Sequence, residues 1–238
     1  MSPKTPEETE RMSRDPSRSA VESLMYDMVC TRPDIYQAVG LVSRYQTDPG
    51  LAHWQAVKRI MRYLKGTADY AFCYQGCKDL RLVGYSDADH GGDLDERKST
   101  SGYIFLLSDG AISWSSKKKS CVSLSTMEAE YVALASAAQE VVWSKMFLEH
   151  LLDIAKNTEP VLVYSDSEAA ISSTKDPKFH CKTKHIDIKY NYARDMVRHK
   201  VVNVKYVSIK DMLADPLIKP LSRDAFVRHI RSQGLRRL

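Results

Sequence analysis

Three short apolar runs of strand type lie between Leu80 and Trp114, and a long helical pattern follows them. Leu80–Tyr85 ends at Ser86-Asp87, while Gly102–Leu107 and Ala111–Trp114 flank Ser108-Asp109-Gly110, whose residue types suit a tight hairpin turn. These runs predict a three-stranded meander. Ser125 then opens a helix with capping chemistry, Glu128 standing at the third helical position, and Tyr131, Leu134, Ala135, Ala138, Val142 and Met146 recur at helical spacing. Val161–Tyr164 is a short continuous apolar run, the pattern of a strand buried on both faces. A short helix over Ser167–Ser172, a helix over Thr183–His199, a strand over Val201–Val207 and a terminal helix from about Lys210 complete the order β-β-β-α-β-α-α-β-α. The expectation is an α/β domain with an open mixed sheet.

Composition divides the rest of the chain. Residues 1–20 lack large aliphatics apart from Met and are expected to be a flexible leader. Residues 21–76 read as helical. Thr31-Arg32-Pro33-Asp34 starts one helix with Ile35, Ala38, Val39 and Val42 as its apolar stripe. A second carries Leu51, Trp54, Val57, Ile60, Met61 and Leu64, with Lys58, Arg59, Arg62 and Lys65 on a face read as solvated. No internal repeat is evident. Five scattered cysteines do not form a disulfide framework and fit a reducing compartment. No segment approaches the roughly 18 apolar residues of a membrane helix, and the first 20 residues have no signal-peptide core, so no membrane partner is expected. The net charge of +5 conceals an asymmetry: residues 175–238 hold 16 Lys+Arg against 6 Asp+Glu, leaving −5 for residues 1–174. An acidic part joined to a basic one suits an enzyme that gathers cations and grips a polyanion, although a solvated helix face gives the same count.

Three aspartates fall at strand ends or in a first helical turn, where open sheets place their ligand sites: Asp87, Asp166 and Asp215. A glutamate from the long helix, in STMEAEY, would be the fourth acid. Phosphodiester hydrolysis near neutral pH is helped by two Mg²⁺ about 4 Å apart, and carboxylates converging from separate elements supply the oxygen ligands such ions require. Taken alone, Asp166 before Ser167 is equally a helix cap.

The order of motifs is more specific than any one acid. YSDADHGGDLDERKSTSGYIFLL, AISWSSKKKSCVSLSTMEAEYVALASAAQEVVW, VYSDSEAAI, FHCKTKHIDIKYNYARDMV and ADPLIKPL together resemble the ribonuclease H domain of copia-type LTR retrotransposons. The upstream segment SLMYDMVCTRPDIYQAVGLVSRYQTDPGLAHWQAVKRIMRYLKGT resembles the end of the same element's reverse transcriptase. The resemblance implies a ribonuclease H-like mixed five-stranded sheet flanked by helices, preceded by a small helical segment. It divides the chain into a leader (1–20), a remnant of the reverse transcriptase thumb and connection (21–76), a ribonuclease H-like domain (78–222) and a basic C-terminal tail (223–238). It carries the catalytic, metal-binding acids onto Asp87, Glu130, Asp166 and Asp215. Glu128, about 200° from Glu130 around the helix, competes for the second place. In retroviral and cellular relatives a histidine-bearing loop precedes the last aspartate; Ser208-Ile209-Lys210-Asp211 here holds no histidine, so that role is unassigned. His90 stands where the family more often has tryptophan and reads as a loop histidine, with Asp89 and Asp93 as turn residues.

The implied activity is hydrolysis of the RNA strand of RNA–DNA hybrids with two Mg²⁺, Mn²⁺ being able to substitute. No Asp-Asp pair occurs in the chain, so polymerase activity is not expected. The alternative is a catalytically silent remnant that binds nucleic acid or protein. Lys117, Lys118, Lys119, Lys182, Lys184, His185, Lys189 and Arg194 are the candidates for gripping the hybrid backbone. His180, Cys181 and His185, or Cys73 with Cys77, do not assemble the spacing of a zinc site. The remainder of the reverse transcriptase is the expected protein partner. The expected location is the cytoplasm, in element particles where a full element is expressed, with the nucleus as the alternative.

Overall fold

The computed structural model describes residues 15–74, 80–93, 95–120, 122–152, 159–175 and 184–238, together with Thr5, Glu7, Glu10 and Met12. Its chain forms two compact units, residues 1–71 with 236–238, and residues 72–235.

The first unit is built on helices α1 (Ser17–Cys30), α2 (Tyr36–Ser43) and α3 (Leu51–Gly66), with a 3₁₀ turn at Pro33–Ile35. Helix α1 begins inside the segment read as a leader, and its Ala20, Val21, Leu24 and Met28 are buried with Ile35, Val39, Val42, Val57 and Ile60. The Thr-Arg-Pro-Asp stretch does more than start a helix. Arg32 grips Asp34 through two nitrogens, at 3.0 and 2.8 Å, and donates to Thr67 Oγ1 at 2.7 Å, while the Tyr63 hydroxyl donates to Asp34 Oδ2 at 2.6 Å. Near the end of the 21–76 segment Tyr70–Phe72 is not helical but forms strand β1, paired with the C-terminal β7 (Leu235–Arg237).

The second unit carries a five-stranded sheet. Strands β2 (Leu82–Ala88), β3 (Thr100–Leu107) and β4 (Gly110–Lys118) form the meander, and Ser108 and Asp109 both adopt positive φ, as the tightest two-residue hairpin requires. Strand β4 runs past the predicted Trp114 because its backbone ladder with β3 continues to Thr100↔Lys118. Strands β5 (Val161–Ser165) and β6 (Val202–Tyr206) add in parallel, giving the order β4-β3-β2-β5-β6.

Helix α4 (Thr126–Leu152) packs across β2, β3 and β5, with α5 (Glu168–Lys175) and α6 (Lys184–Arg198) beside it. Buried alanines at 129, 133, 135, 137 and 138 let the helix approach closely, and Phe105, Tyr131, Leu134, Val141, Val163 and Val204 fill the core. Alternate strand residues face opposite ways. Tyr103 and Phe105 meet the α4 side, whereas the Gly102 position faces Leu217 and Ile218 of the one-turn helix α7 (Asp215–Ile218), so helices cover both faces.

The terminal helix expected from Lys210 is broken. A 3₁₀ turn at Ile209–Asp211 precedes α7, Pro220 follows it, and α8 (Arg223–Ser232) stands separately. Residues 223–238, set apart in the sequence by charge, thus contain a helix and a strand with Ile230, Gln233 and Leu235 buried. Gln233 accepts a hydrogen bond from the Ala111 backbone at 2.9 Å, and a Cβ at Gly234, whose φ is +90°, would meet Asp109 O and Gly110 Cα at 2.7 Å. Among the described residues no helix is long and apolar enough to cross a membrane.

Candidate active site

The parallel pairing of β2 with β5 sets Tyr85 beside Tyr164. Two residues further along each strand come Asp87 and Asp166, so the register brings both to the same level at the carboxyl ends of adjacent strands. Helix α4 supplies Glu130. Carboxylate oxygens of Asp87, Glu130 and Asp166 all lie within 4.8 Å of one another. The Ala88 amide orients two of them, donating to Asp87 Oδ1 at 2.8 Å and to Glu130 Oε1 at 3.3 Å.

Asp215 reaches the same place from the other face of the sheet. Gly102 lies opposite Asp87 in the β2–β3 register, and a Cβ there would stand 2.7 Å from Ile218 Cγ2 and 3.3 Å from Leu217 Cβ. The missing side chain therefore lets α7 seat on β3 next to Asp87. Lys219, just beyond α7, joins the two acids: its Nζ is 3.4 Å from Asp87 Oδ2 and 2.7 Å from Asp215 Oδ1.

Helix-capping groups decide which acids are free to converge. Ser125 Oγ accepts from Glu128 N at 3.1 Å, and the Glu128 carboxylate turns back to accept from Leu124 N at 2.8 Å. Glu128 is thereby used as a cap, and the glutamate that faces Asp87 is Glu130. At the next helix Ser167 Oγ accepts from Ala170 N at 3.2 Å, so Ser167 caps α5 and Asp166 does not. The capping role of Ser125 is the one its sequence predicts, whereas that of Ser167 in place of Asp166 is not.

Electrostatics mark the cluster as short of positive charge. Burial, reinforced by Asp215, raises the proton affinity of Asp87 against the pull of Lys219. Burial and the neighbouring Asp87 and Asp166 raise that of Glu130, and burial and Asp87 raise that of Asp166. Glu130 Oε2 is buried with no hydrogen-bond partner. Crowded hard oxygen donors with an orphaned buried carboxylate oxygen fit a Mg²⁺ or Mn²⁺ ligand set.

The remaining sequence candidates separate. His90 is exposed in the loop after β2. Asp89 accepts from Thr100 N, and Asp93 accepts from Asp95 N and Glu96 N and pairs with Lys118, so both brace that loop. Of the proposed backbone-gripping residues, Lys117 and Lys189 are exposed. Lys118 is instead held by Asp93 and by Glu96 at 3.1 Å, and Lys119 is buried with its Nζ 3.5 Å from Ser136 Oγ. Arg194 is half-buried against the Tyr131 hydroxyl. These three therefore have intramolecular work. Lys182, His180, Cys181 and Cys77 lie outside the described residues, as do the side chains of Lys184 and His185. Sequence reading missed Lys219 and the role of Gly102. The available signals were a lysine four residues after an acid in a one-turn helix and a glycine opposite the first aspartate.

A mixed sheet in this order, covered on both faces and carrying acids at the ends of its central parallel strands, defines a ribonuclease H-like domain. No family model matches the chain. It is 48% identical over 226 residues, 95% of its length, to the retrovirus-related Pol polyprotein from transposon TNT 1-94 of Nicotiana tabacum, and 41% identical over 218 residues, 92% of its length, to that from transposon RE2 of Arabidopsis thaliana. The chain belongs to the retrovirus-related Pol polyproteins of copia-type transposons. It spans 17% and 15% of the length of these two relatives. Secreted RxLR effector protein 161 of Plasmopara viticola is 51% identical over 132 residues, 56% of this chain and 93% of that protein. Among solved structures, the foamy viral protease-reverse transcriptase dRH in complex with double-stranded DNA matches with TM-score 0.51 and 14% identity, over 85% of this chain and 35% of that one. The N-terminal RNase H domain of a Mycobacterium tuberculosis protein matches at TM-score 0.43 and 17% identity, over 65% of this chain and 99% of that one.

Proposed function

We propose that this chain hydrolyses the RNA strand of RNA–DNA hybrids as the ribonuclease H part of a retrotransposon Pol, using a divalent-ion site made by Asp87, Glu130, Asp166 and Asp215. The observation that carries this reading is the convergence of Asp87, Glu130 and Asp166 within 4.8 Å at the strand ends, in a chain of the Pol family. Two Mg²⁺ ions, or Mn²⁺, supply an activated water and neutralise the leaving oxygen when bound. The protein's part is to hold the acids ready. The Ala88 amide fixes Asp87 and Glu130, Gly102 admits α7 and its Asp215, and Ser125 and Ser167 keep neighbouring groups engaged elsewhere.

Lys117 is opposite Ser101, which is opposite Ala88, so this exposed lysine lies one residue along the ladder from the row of Asp87, Gly102 and Ser116. It and Lys189 are the proposed phosphate contacts, with Lys182, Lys184 and His185. No polymerase activity is proposed, and the remainder of Pol is the proposed protein partner.

The test uses the whole chain with labelled RNA offered in a hybrid, in duplex RNA and as a single strand, with Mg²⁺ or Mn²⁺. Cleavage of the hybrid RNA alone, lost in Asp166→Asn, is the expected result. Equal cleavage by wild type and Asp166→Asn removes the enzyme reading. One observation favours a second reading, binding without hydrolysis: a 51% identical relative bears the name of a secreted effector and not of a Pol protein. Retention of hybrid with no cleavage under either ion would select it.

A further inference from the structure

We propose that Lys219 is a built-in cation of the acid cluster, holding the Asp87–Asp215 side of the site in the ion-free protein and withdrawing when a second divalent ion enters there. The inference rests on the divalent-ion reading given under Proposed function. It begins from an inequality between the two sides of Asp87. On one side, Asp87, Glu130 and Asp166 crowd together, and Glu130 Oε2 has no hydrogen-bond partner. On the other, Asp87 and Asp215, with side chains only 3% and 4% exposed, are ion-paired with the Lys219 ammonium at 3.4 and 2.7 Å, and Asp215 Oδ1 has no hydrogen bond besides that ion pair. Two buried carboxylates without a cation are costly, and Lys219 supplies the charge.

Local sequence places the ammonium. Leu217 and Ile218 are buried and seat α7 on β3. The Lys219 amide donates to Asp215 O at 3.1 Å, and Pro220 disfavours helical backbone at the residue before it, so Lys219 is extended at φ −139° and ψ 151°. Its root is thereby fixed. Its side chain is 36% exposed, which leaves a route to solvent. Lysine is suited to this, being a compact charge on a flexible stem that can release one set of acceptors for water. The site then loads in order: Asp87, Glu130 and Asp166 accept a divalent ion without competition, whereas Asp87 and Asp215 accept one only against Lys219.

The test is a Mn²⁺ titration of the whole chain without nucleic acid, followed by calorimetry and by the free-ion resonance signal, on wild type, Lys219→Met, Lys219→Gln and Asp166→Asn. Wild type is expected to bind one equivalent firmly and a second weakly. Both Lys219 variants should bind the second equivalent roughly tenfold or more tighter, the factor a charge-assisted contact is worth. Without ion they should melt below wild type, and saturating Mn²⁺ should raise their melting temperature further than it raises wild type. An unchanged or weaker second equivalent in both variants overturns the assignment, while loss of the firm equivalent in Asp166→Asn leaves the metal site standing. Absence of Mn²⁺ binding in wild type, or wild-type binding by Asp166→Asn, overturns the metal site and this inference together. Should the Lys219 variants unfold without ion, recovery by Mn²⁺ supports the role, and failure to recover rejects it.

Discussion

Glu128 and Glu130 stand two residues apart on one helix, and their roles divide by where each carboxylate finds a partner. The first accepts the Leu124 amide at 2.8 Å and belongs to the cap, while the second accepts the Ala88 amide and faces Asp87. Glu130→Gln is therefore expected to lower hybrid cleavage by more than the roughly 10–100-fold that loss of an outer partner of a metal ligand costs. Glu128→Gln should stay within a few-fold, in the same gel assay. The spacing of the two glutamates was legible in the sequence and the family resemblance favoured Glu130, but the physical reason for the division, a backbone amide before the helix that engages Glu128, was not. Gly102 was legible only as the start of a strand. Gly102→Val should destabilise the second unit by about 1–3 kcal/mol through overpacking against Ile218, read from urea unfolding. Asp93 shows a pH effect of definite sign. The Lys118 ammonium holds its carboxyl down to about 2, below the unfolded value. The stability this adds is present above roughly pH 4 and is lost as pH falls towards 2. The urea midpoint of Lys118→Met, measured from pH 5 to pH 2, should approach that of wild type at the acid end; a constant gap would contradict the coupling.

Elements were recovered where apolar periodicity was strong and lost where the backbone alone decides. Helix α4 and strand β5 follow from their patterns, since a continuous apolar run or a helical stripe has few other uses. The second half of β4 reads Ser115-Ser116-Lys117-Lys118, which has no strand pattern, yet the ladder with β3 carries it on. The terminal helix failed differently: Pro216 and Pro220 confine α7 to one turn, and those prolines were visible but not weighed against the apolar residues between them. In the first unit, Thr-Arg-Pro-Asp announced a helix start but concealed a polar core. Asp34 is buried and contacted by Arg32 and Tyr63, so Asp34→Ala should cost about 3–5 kcal/mol by leaving the guanidinium uncompensated. Loss of amide exchange protection in α1 to α3 would report it.

At the scale of the molecule, the excess of basic residues after position 175 did not distinguish a surface from a scaffold. Ile230 and Leu235 sit buried among the arginines of the last segment, which belongs to the folded units as much as any strand. Charge also failed to tell Lys117 from its neighbours Lys118 and Lys119, because intramolecular partners are invisible in composition. If Lys117 and Lys189 touch phosphate, replacing either with Ala should weaken hybrid binding and reduce the slope of log affinity against log salt by roughly one. Lys119→Ala should leave that slope unchanged. Filter binding at several salt concentrations decides between them.

The β3–β4 hairpin has its tip fastened by Gln233 and Gly234, which a ribosome makes only after every other strand of that sheet. A nascent chain can zip the hairpin early, but its tip stays unclasped until residues 233 and 234 have been made. Stalling before those two residues emerge leaves the hairpin tip uncovered for chaperones to find.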